Sequence, residues 1–436
     1  MTQQSLLTDT QNLFEIICHE ATLIKAFNYV KKNKGSPGVD KITIRDFDKI
    51  KRKELAQIRE ELENWSYKPS PVRRVEIPKP GGKGVRLLGV PCVRDRIVQA
   101  AIKLVIEPIL DPMFSDSSYG FRPNRSQHQA IESARLQVDA GKEYVVDIDL
   151  SKFFDRINHD KLIAKLAKVN EDKRILRLIG LTLRSGVMTS DGYEATTIGS
   201  TQGSPLSPLL SNVVLDELDK KLEQRGVSFV RYADDCNIFV YTRKAADRVM
   251  ENISHFIEKK MKLVINRDKS KVALSRKVKF LGVTIVKSTV AISKAAMQNA
   301  KAKVKELIPR GTNKNLEETV QEFNLWYRGW ASYFNITYYP AQFRTIEAHA
   351  RRRLRARLIS QTKRRNFLYR KLKKRGVKSK TAAKTAFSNK GRWALSRTKA
   401  LEIAYPNKFF EFTGMFIKSK QQKPHWFDVS RWVHLS

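Results

Sequence analysis

The chain has 436 residues, with 83 Lys or Arg against 44 Asp or Glu, so its formal net charge is +39. That length accommodates roughly two to four domains of ordinary size. So large a positive excess indicates a polyanionic partner, either nucleic acid or an anionic membrane. No apolar run is long enough to cross a bilayer, so nucleic acid is expected and a membrane is not. Cys18, Cys92 and Cys236 are too scattered for a zinc site or a disulfide framework.

The N-terminal part of the chain predicts helices and then a hairpin. Residues 1–70 have helical character around a Gly- and Pro-containing loop at 33–40. Residues 72–90 predict a β-hairpin that turns at 80–84. Helical periodicity follows over 94–109.

Two further elements are strongly patterned. The β-branched segment 143–150 predicts a buried strand, and a helix is expected to begin near Asn158. Apolar residues at three- and four-residue steps predict a helix over 205–225. Pro205 at its start and Gly226 after its end support those limits.

The C-terminal half begins with a second hairpin and becomes helical. Strand-forming runs within 229–241 surround Asp234 and Asp235, which predicts a hairpin with both carboxylates at its tip. A short strand is expected over 278–286. Helical patterns then dominate, and residues 351–380 contain 15 Lys or Arg and no Asp or Glu. This segment predicts a helix with one apolar and one phosphate-facing side.

Three carboxylates converge if the strand ending at Asp149 pairs with the hairpin that carries Asp234 and Asp235. Adjacent carboxylates repel each other, so such a cluster requires a cation or a raised pKa. Oxygen ligands suit Mg²⁺, and two ions about 3.5–4 Å apart support nucleotidyl transfer. An Asp-Asp pair alone is also an ordinary polar turn. The surrounding motifs decide between these interpretations.

Seven motifs in order resemble those of bacterial group II intron reverse transcriptases. They are Ile77 to Pro80 with Arg86, Tyr119 to Pro123, Asp149 to Asp155, Gln202 to Pro208, Tyr232 to Asp235, Asn266 to Lys271, and Phe280 to Gly282. The similarity continues through Trp326 to Trp330 and the basic run at Arg351 to Arg355, which resemble the thumb, or maturase, domain. The resemblance therefore covers nearly the whole chain.

The fold that this resemblance implies is α+β, a right-hand polymerase. Fingers and a palm with an antiparallel sheet precede an α-helical thumb, or maturase, domain. The implied divisions are an N-terminal extension and start of the fingers at 1–70, fingers and palm at 71–290, thumb at 291–360, and a basic C-terminal maturase and DNA-binding region at 361–436.

The implied activity is RNA-directed DNA polymerisation with two Mg²⁺ ions, for which Mn²⁺ can substitute. The implied catalytic residues and metal ligands are Asp149, Asp234 and Asp235, with the Leu150 backbone carbonyl as a further ligand. Asp147 lies on the same face of the strand as Asp149. The family places an aromatic residue five positions after the metal-binding aspartate, and Phe154 therefore selects Asp149.

The resemblance also implies contacts to the deoxynucleoside triphosphate. The residues are Lys79, Arg86, Arg122, Phe154, Gln202 and Lys269. Lys79 and Arg86 would hold the triphosphate, and Phe154 would exclude a 2′-hydroxyl. Gln202 would contact the nucleotide or the template. The alternatives are core packing for Phe154, a polar helix start for Gln202 and simple solvation for the cations.

The expected partners are an RNA template, a DNA primer, the intron RNA that encodes the protein and a DNA target. Expected nucleic-acid contacts are Arg351, Arg352, Arg353, Arg355, Lys363, Arg364 and Arg365. The aromatic residues between Trp326 and Phe334 either stack on bases or form the core between helices. The implied roles beyond polymerisation are splicing assistance and retrohoming.

Many relatives carry a C-terminal endonuclease with His and Cys ligands, whereas this sequence has no Cys after Cys236. We therefore expect an endonuclease-lacking member that uses a primer from elsewhere, such as a nascent strand at a replication fork. The expected location is the bacterial cytoplasm, at the nucleoid when the protein is on DNA. Two alternatives share these motifs: a domesticated relative in DNA repair or host defence, and an RNA chaperone with minor polymerase activity.

Overall fold

The computed structural model describes residues 13–78 and 84–420, and the chain divides into two compact units, Met1–Leu274 and Ser275–Ser436. The elements of the first unit are α1 (Leu13–Cys18), α2 (Glu20–Lys32), α3 (Ile44–Glu63), β1 (Val72–Pro78), β2 (Val85–Val90), α4 (Val93–Leu110), α5 (Gln127–Asp139), β3 (Tyr144–Ile148), α6 (His159–Ala167), α7 (Lys173–Leu183), β4 (Val187–Thr189), β5 (Gly192–Glu194), α8 (Ser207–Gln224), β6 (Ser228–Tyr232), β7 (Asp235–Val240), α9 (Arg243–His255) and β8 (Lys271–Leu274).

The first hairpin forms as predicted. Strands β1 and β2 pair antiparallel from Arg73 opposite Val90 to Pro78 opposite Val85. The predicted turn at 80–84 lies mostly outside the described residues. A parallel pairing of β1 with β4 extends the hairpin into a sheet with the order β2-β1-β4-β5.

A second sheet, β6-β7-β3-β8, is antiparallel throughout. Its central strand β3 is the predicted buried strand, and Val145, Val146 and Ile148 are buried in it. Because β3 and β7 pair with Ile148 opposite Cys236, the end of β3 lies beside the start of β7. The sheet thus brings the Asp149 segment to the Asp234–Asp235 hairpin.

Helix α8 packs its apolar stripe into the core of the first unit. Leu209, Leu210, Leu218 and Leu222 are buried at the expected helical spacing. Helix α6 also begins as predicted, because the Asn158 side chain accepts a hydrogen bond from the Lys161 N–H at the N-terminus of the helix.

The second unit is mainly helical. Its elements are β9 (Val283–Val286), β10 (Thr289–Ile292), α10 (Lys294–Leu307), α11 (Leu316–Tyr333), α12 (Pro340–Ser360), α13 (Arg365–Lys374), α14 (Ser379–Ala386), α15 (Arg392–Leu395), α16 (Lys399–Ala404) and α17 (Asn407–Phe412). The combination of an antiparallel sheet with a helical C-terminal region confirms the predicted α+β class.

Two predictions for this unit are corrected. The strand expected over 278–286 begins only at Val283, because Leu281 and Gly282 form a turn with positive φ between Phe280 and Val283. The single helix expected over 351–380 is divided among α12, α13 and α14. In the described part of the chain, no helix has the length and apolar character needed to cross a membrane.

The aromatic run from Trp326 to Phe334 contributes to the core through the buried Tyr327 and Phe334, whereas Trp326, Trp330 and Tyr333 are partly exposed. The Tyr327 side chain is fully buried, and its hydroxyl donates a 2.8 Å hydrogen bond to Glu347. The rings of Trp326 and Trp330 lie 6.2 and 5.9 Å from the Tyr327 ring, between centroids. These rings hold α11 to its neighbours.

Candidate active site

The aspartate pair sits at a two-residue turn between β6 and β7. Tyr232 pairs with Asp235, so Ala233 and Asp234 form the turn. Ala233 has φ of +56°, in the left-handed region that residues other than glycine rarely adopt. Gly120 packs against this turn, and a Cβ there would lie 2.1 Å from the Ala233 nitrogen. The motif Tyr119 to Pro123 therefore supports the turn from the side.

The Asp149 backbone is held at the end of β3. Its N–H donates a 3.0 Å hydrogen bond to Ser270 Oγ, and its carbonyl accepts a 2.8 Å bond from the Asn266 N–H. Leu150 forms a bridge with Ile265 whose hydrogen bonds use the Asp149 carbonyl and the Ser151 N–H. The bridge therefore does not use the Leu150 carbonyl.

Asp149 and Asp234 interact electrostatically. Burial raises the pKa of Asp234 above the usual aspartate range, and the nearby charge of Asp149 raises it further. Arg86 and Lys269 oppose these effects with positive charge. Lys269 Nζ lies 3.4 Å from Asp149 Oδ2. The sheet thus brings together two of the predicted aspartates and two of the predicted cations.

The carboxylate oxygens of Asp149 and Asp234 are donors that suit a divalent metal, but they do not form a complete set of ligands by themselves. Within residues 13–78 and 84–420, no three His, Cys, Asp or Glu side chains are grouped so as to hold an ion. The charge of Asp149 nevertheless contributes to the raised pKa of Asp234, and a bound cation would relieve this repulsion. One step beyond the Ile148–Cys236 pair, the same register brings position 235 opposite Asp149. The donor set therefore fits a hard cation.

A buried ion pair anchors the aspartate turn. Arg231 and Asp219 side chains have no exposed surface, and their atoms approach to 2.5 Å between Arg231 Nη2 and Asp219 Oδ2. Arg231 Nη1 also donates to the Ala233 carbonyl at 2.9 Å and to Asn212 Oδ1 at 3.0 Å. Burial opposes the charged guanidinium, but Asp219 outweighs burial and raises the pKa of Arg231. Helix α8 thus fixes the turn through Arg231.

Sequence reasoning missed this network. Asn212 continues it, because its Nδ2 donates a 2.9 Å hydrogen bond to the Gly120 carbonyl. A charged residue inside the apolar strand β6 was the available signal, since an unpaired buried charge is costly. The identity of the partner, Asp219, follows only from the packing of α8 on β6.

A cavity of about 460 Å³ is lined by two of the predicted nucleotide contacts, Phe154 and Gln202. Phe121 and Gly203 also line it. The loop that carries Gln202 is fixed against β2, because the Gln202 carbonyl accepts a 2.9 Å hydrogen bond from the Gly89 N–H. This geometry brings the two side chains to one concave surface.

The basic residues predicted to bind the triphosphate differ in where they lie. Arg86 is exposed on β2 and acts electrostatically on Asp234. Lys79 lies outside the described residues. Lys269 is exposed beside Asp149.

The position of Arg122 differs from the sequence prediction. Its guanidinium is buried and donates hydrogen bonds to Asp111 Oδ1 at 2.7 Å, and to the carbonyls of Ser115 and Ser118 at 2.6 and 3.1 Å. A guanidinium with its donors committed to the protein is not available to a triphosphate. Arg122 instead stabilises the loop after α4.

Two of the seven predicted nucleic-acid contacts are also buried. Arg353 is 8% exposed and donates to the Ile308 carbonyl, and Arg355 is 9% exposed and donates to the Tyr405 carbonyl. Their expected contact with phosphates is corrected, because both side chains connect α12 to neighbouring loops. Arg351 and Arg352 are half-buried, and the exposed members are Lys363, Arg364 and Arg365.

The palm-like sheet, with aspartates at the ends of its paired strands, defines the first unit as a polymerase of the reverse transcriptase class. Residues 77–285 match the model of reverse transcriptase (RNA-dependent DNA polymerase). Residues 297–376 match the group II intron maturase-specific domain.

The chain is similar to several known proteins. It is 34% identical to Protein YkfC of Escherichia coli over 302 residues, 60% of this chain and 79% of that protein. It is 33% identical to the group II intron-encoded protein LtrA of Lactococcus lactis over 246 residues, 56% of this chain but only 39% of LtrA. A telomerase structure from Candida tropicalis matches with a TM-score of 0.41 at 12% identity, covering 78% of this chain and 72% of the telomerase.

The chain therefore belongs to the group II intron-encoded reverse transcriptases, a family of RNA-directed DNA polymerases with a maturase domain. The motif resemblance is confirmed, and the comparisons favour it over a domesticated repair or defence protein. Reverse transcriptases generally use divalent metal ions, and the two domains imply nucleic-acid partners that include template and intron RNA. The extents of the four predicted regions remain predictions.

Proposed function

We propose that the chain copies an RNA template into DNA at Asp149, Asp234 and Asp235. The observation that carries this proposal is the electrostatic coupling of Asp149 and Asp234 at the ends of paired strands, with Arg86 and Lys269 nearby. Mutual repulsion of carboxylates beside cationic groups is typical of a site that binds metal and phosphate.

Asp149, Asp234, Asp235 and the Leu150 carbonyl would hold two Mg²⁺ ions, with Mn²⁺ as a substitute. When bound, these ions supply Lewis acidity at the attacking and leaving oxygens. The primer 3′-hydroxyl releases its proton to solvent as its oxygen bonds to the α-phosphorus of a deoxynucleoside triphosphate. The bond from that phosphorus to the α,β-bridging oxygen breaks, and pyrophosphate leaves.

The remaining residues bind and orient the substrate. Arg86, together with Lys79, neutralises the triphosphate. Phe154 packs against the sugar and disfavours a 2′-hydroxyl, and Gln202 in the same cavity contacts the nucleotide or template. The network of Arg231 and Asp219 holds the turn in place while the substrate binds.

The helical unit binds the intron RNA and assists its splicing, and the whole protein takes part in retrohoming to a DNA target. The match to the maturase-specific domain and the positive charge support this role. The exposed residues Lys363, Arg364 and Arg365 are the members of the predicted set that remain available to phosphates.

Primer extension by the purified chain on an RNA template with a DNA primer tests the polymerase proposal. Asp149→Asn and Asp234→Asn should each lower the extension rate on the order of 10³-fold, because a catalytic metal contributes several kcal/mol. Asp147→Asn is the matched control, since Asp147 lies two residues earlier on β3. Full extension activity in Asp234→Asn would reject the site. Loss in Asp147→Asn but not in Asp149→Asn would reverse the assignment.

A further inference from the structure

A basic cavity lies in the helical unit where α10, α12 and α15 meet. Its volume is about 410 Å³, within the range of about 300–1,000 Å³ usual for small-ligand sites. Its polar and aromatic lining residues are Lys301, Lys305, Arg310, His349, Arg353 and Trp393. No Asp or Glu is among the described residues that line it.

The positive charge of this cavity is not neutralised within its walls. Lys301 and Lys305 are one turn apart on α10, a spacing at which like charges repel. Burial lowers the pKa of Arg353, and the charge of Arg310 lowers it further. Burial likewise lowers the pKa of His349, with additional lowering by Arg353 and Lys301. A bound anion would relieve this repulsion.

Trp393 gives the same cavity a rigid flat wall. The Arg352 guanidinium carbon lies 3.6 Å from the centroid of the Trp393 ring, and the His349 ring meets it edge-on at 5.9 Å. Arg352 also donates to the Trp393 carbonyl at 3.1 Å and to Ser396 Oγ at 3.3 Å. A ring braced in this way is suited to stacking against another planar group.

We propose that this cavity binds one unpaired nucleotide of an RNA strand. The base stacks on the face of Trp393 opposite the Arg352 guanidinium, and the adjoining phosphates lie against Lys301, Lys305 and Arg310. An acidic peptide would satisfy the charge but would leave the aromatic wall without a planar partner. A base inside a duplex is already stacked and paired and does not enter a cavity. The inference rests on the proposed RNA-binding role and specifies the part of the RNA that is recognised.

The electrostatic part of the proposal is tested with the full chain and a short fluorescein-labelled single-stranded RNA, whose anisotropy is followed across salt concentrations. The double variant Lys301→Gln and Lys305→Gln should weaken binding about tenfold. It should also lower the slope of log affinity against log salt by about 1.4, because each phosphate contact to a single strand contributes about 0.7.

The matched control removes two charges from the same helix at Lys294 and Lys303, neither of which lines the cavity. The double variant Lys294→Gln and Lys303→Gln should change the affinity by less than about twofold. If both double variants weaken binding equally, the general field of the protein accounts for it and the cavity proposal is rejected.

The stacking part is tested at Trp393. Trp393→Ala should weaken binding about tenfold and Trp393→Phe much less, since the loss of base stacking has an effect of that order. Melting temperatures of both variants identify any loss of folding. In the parent chain, RNA carrying 5-iodouridine should photocrosslink to Trp393. Absence of that crosslink, or equal competition by a blunt duplex of the same sequence, would overturn the proposal.

Primer extension is measured in parallel on a preformed template–primer. If the parent chain does not extend the primer, the proposed polymerase function is rejected, and the anisotropy measurements still test the cavity. Unchanged RNA affinity in the cavity variants, with extension retained in the parent chain, would reject the cavity alone.

Discussion

Several buried arginines are paired differently in the two units, although Arg96 of the first unit donates to the Ser36 carbonyl and burial lowers its pKa, as in the second unit. In the first unit, Arg231 donates to the Asp219 carboxylate at 2.7 Å from Nε, and Arg122 donates to the Asp111 carboxylate at 2.7 Å. Each of these guanidiniums meets a negative charge inside the protein. The partner outweighs burial and raises the pKa of Arg231.

Buried arginines of the second unit are paired with neutral groups instead. Arg353 and Arg355 donate to main-chain carbonyls, and Arg357 donates to Thr319 Oγ1 and to the Lys314 carbonyl. Burial lowers the pKa of all three.

This difference in pairing fits the proposed roles of the two units, polymerisation in the first and RNA binding in the second. Charge that is neutralised internally fixes geometry without attracting ligands, which suits the turn that carries Asp234. An arginine that donates only to neutral oxygens can connect a helix to a loop, and its positive charge is not cancelled by a neighbouring carboxylate. The second unit therefore remains attractive to a polyanion even where its arginines are buried.

The largest expected effect on stability is at the paired arginine. Arg231→Met leaves Asp219 as an unpaired buried charge and should lower the free energy of unfolding of the first unit by about 3–5 kcal/mol. Urea unfolding, with hydrogen exchange in peptides from β6 and β7, measures it. The double variant Arg231→Met and Asp219→Leu removes both charges and should recover most of the loss. A single variant as stable as the double one would contradict the role of the pair.

A second effect arises where the first unit buries a carboxyl group next to a neutral partner. Asp95 is 1% exposed and accepts a 2.7 Å hydrogen bond from the Tyr67 hydroxyl. Burial raises the pKa of Asp95 from 3.8 to about 6. Because the folded state holds this proton more tightly than the unfolded state, stability falls as pH rises from about 4 to 6 and stays lower above 6.

Asp95→Asn removes this titration. The variant should be more stable than the parent at pH 8 by about 2 kcal/mol, and the difference should shrink toward pH 4. Urea unfolding at the two pH values measures the change. An equal difference at both would show that Asp95 does not titrate in this range.

A smaller loss is expected for the arginine with neutral partners. Arg357→Met leaves the acceptors of Thr319 and Lys314 without a donor but removes a desolvated charge, so about 1–2 kcal/mol should be lost. The exposed Arg364→Met is the control for the substitution itself. A loss as large as that of Arg231→Met would remove the distinction between the two units.

The smallest effect on stability is expected at the exposed cations. Replacing Lys363, Arg364 and Arg365 together by Gln should change the free energy of unfolding by less than about 0.5 kcal/mol. The same variant should lower the salt slope of RNA binding by about 2, or 0.7 for each lost contact. Thermal unfolding and anisotropy titration give the two values. An unchanged slope would remove these residues from the RNA surface.

Local sequence patterns were sufficient to predict many of the helices and strands. The strand before Asp149, the hairpin at Asp234 and the helix after Pro205 are all visible as alternation or helical spacing, and each forms where it was predicted. The coupling of Asp149 to Asp234 also agrees with the expectation that these two strands pair.

The misassigned residues depend on tertiary contacts. Arg122 was expected at the substrate, but its acceptors are the Asp111 carboxylate and the carbonyls of a loop whose path no spacing rule gives. Arg353 and Arg355 lie in a run so basic that exposure was the natural expectation, yet carbonyls at Ile308 and Tyr405 accept their hydrogen bonds. An arginine's long stem can cross a helix interface and reach such acceptors.

The left-handed turn at Ala233 also limits which sequences can be reached by mutation. A β-branched residue at 233 would meet an unfavourable φ. Any side chain at 120 would displace the same turn. A combinatorial library that randomises both positions should therefore return glycine at 120 and few β-branched residues at 233. We therefore expect few substitutions at positions 120 and 233, both in natural evolution and in laboratory selection of the polymerase.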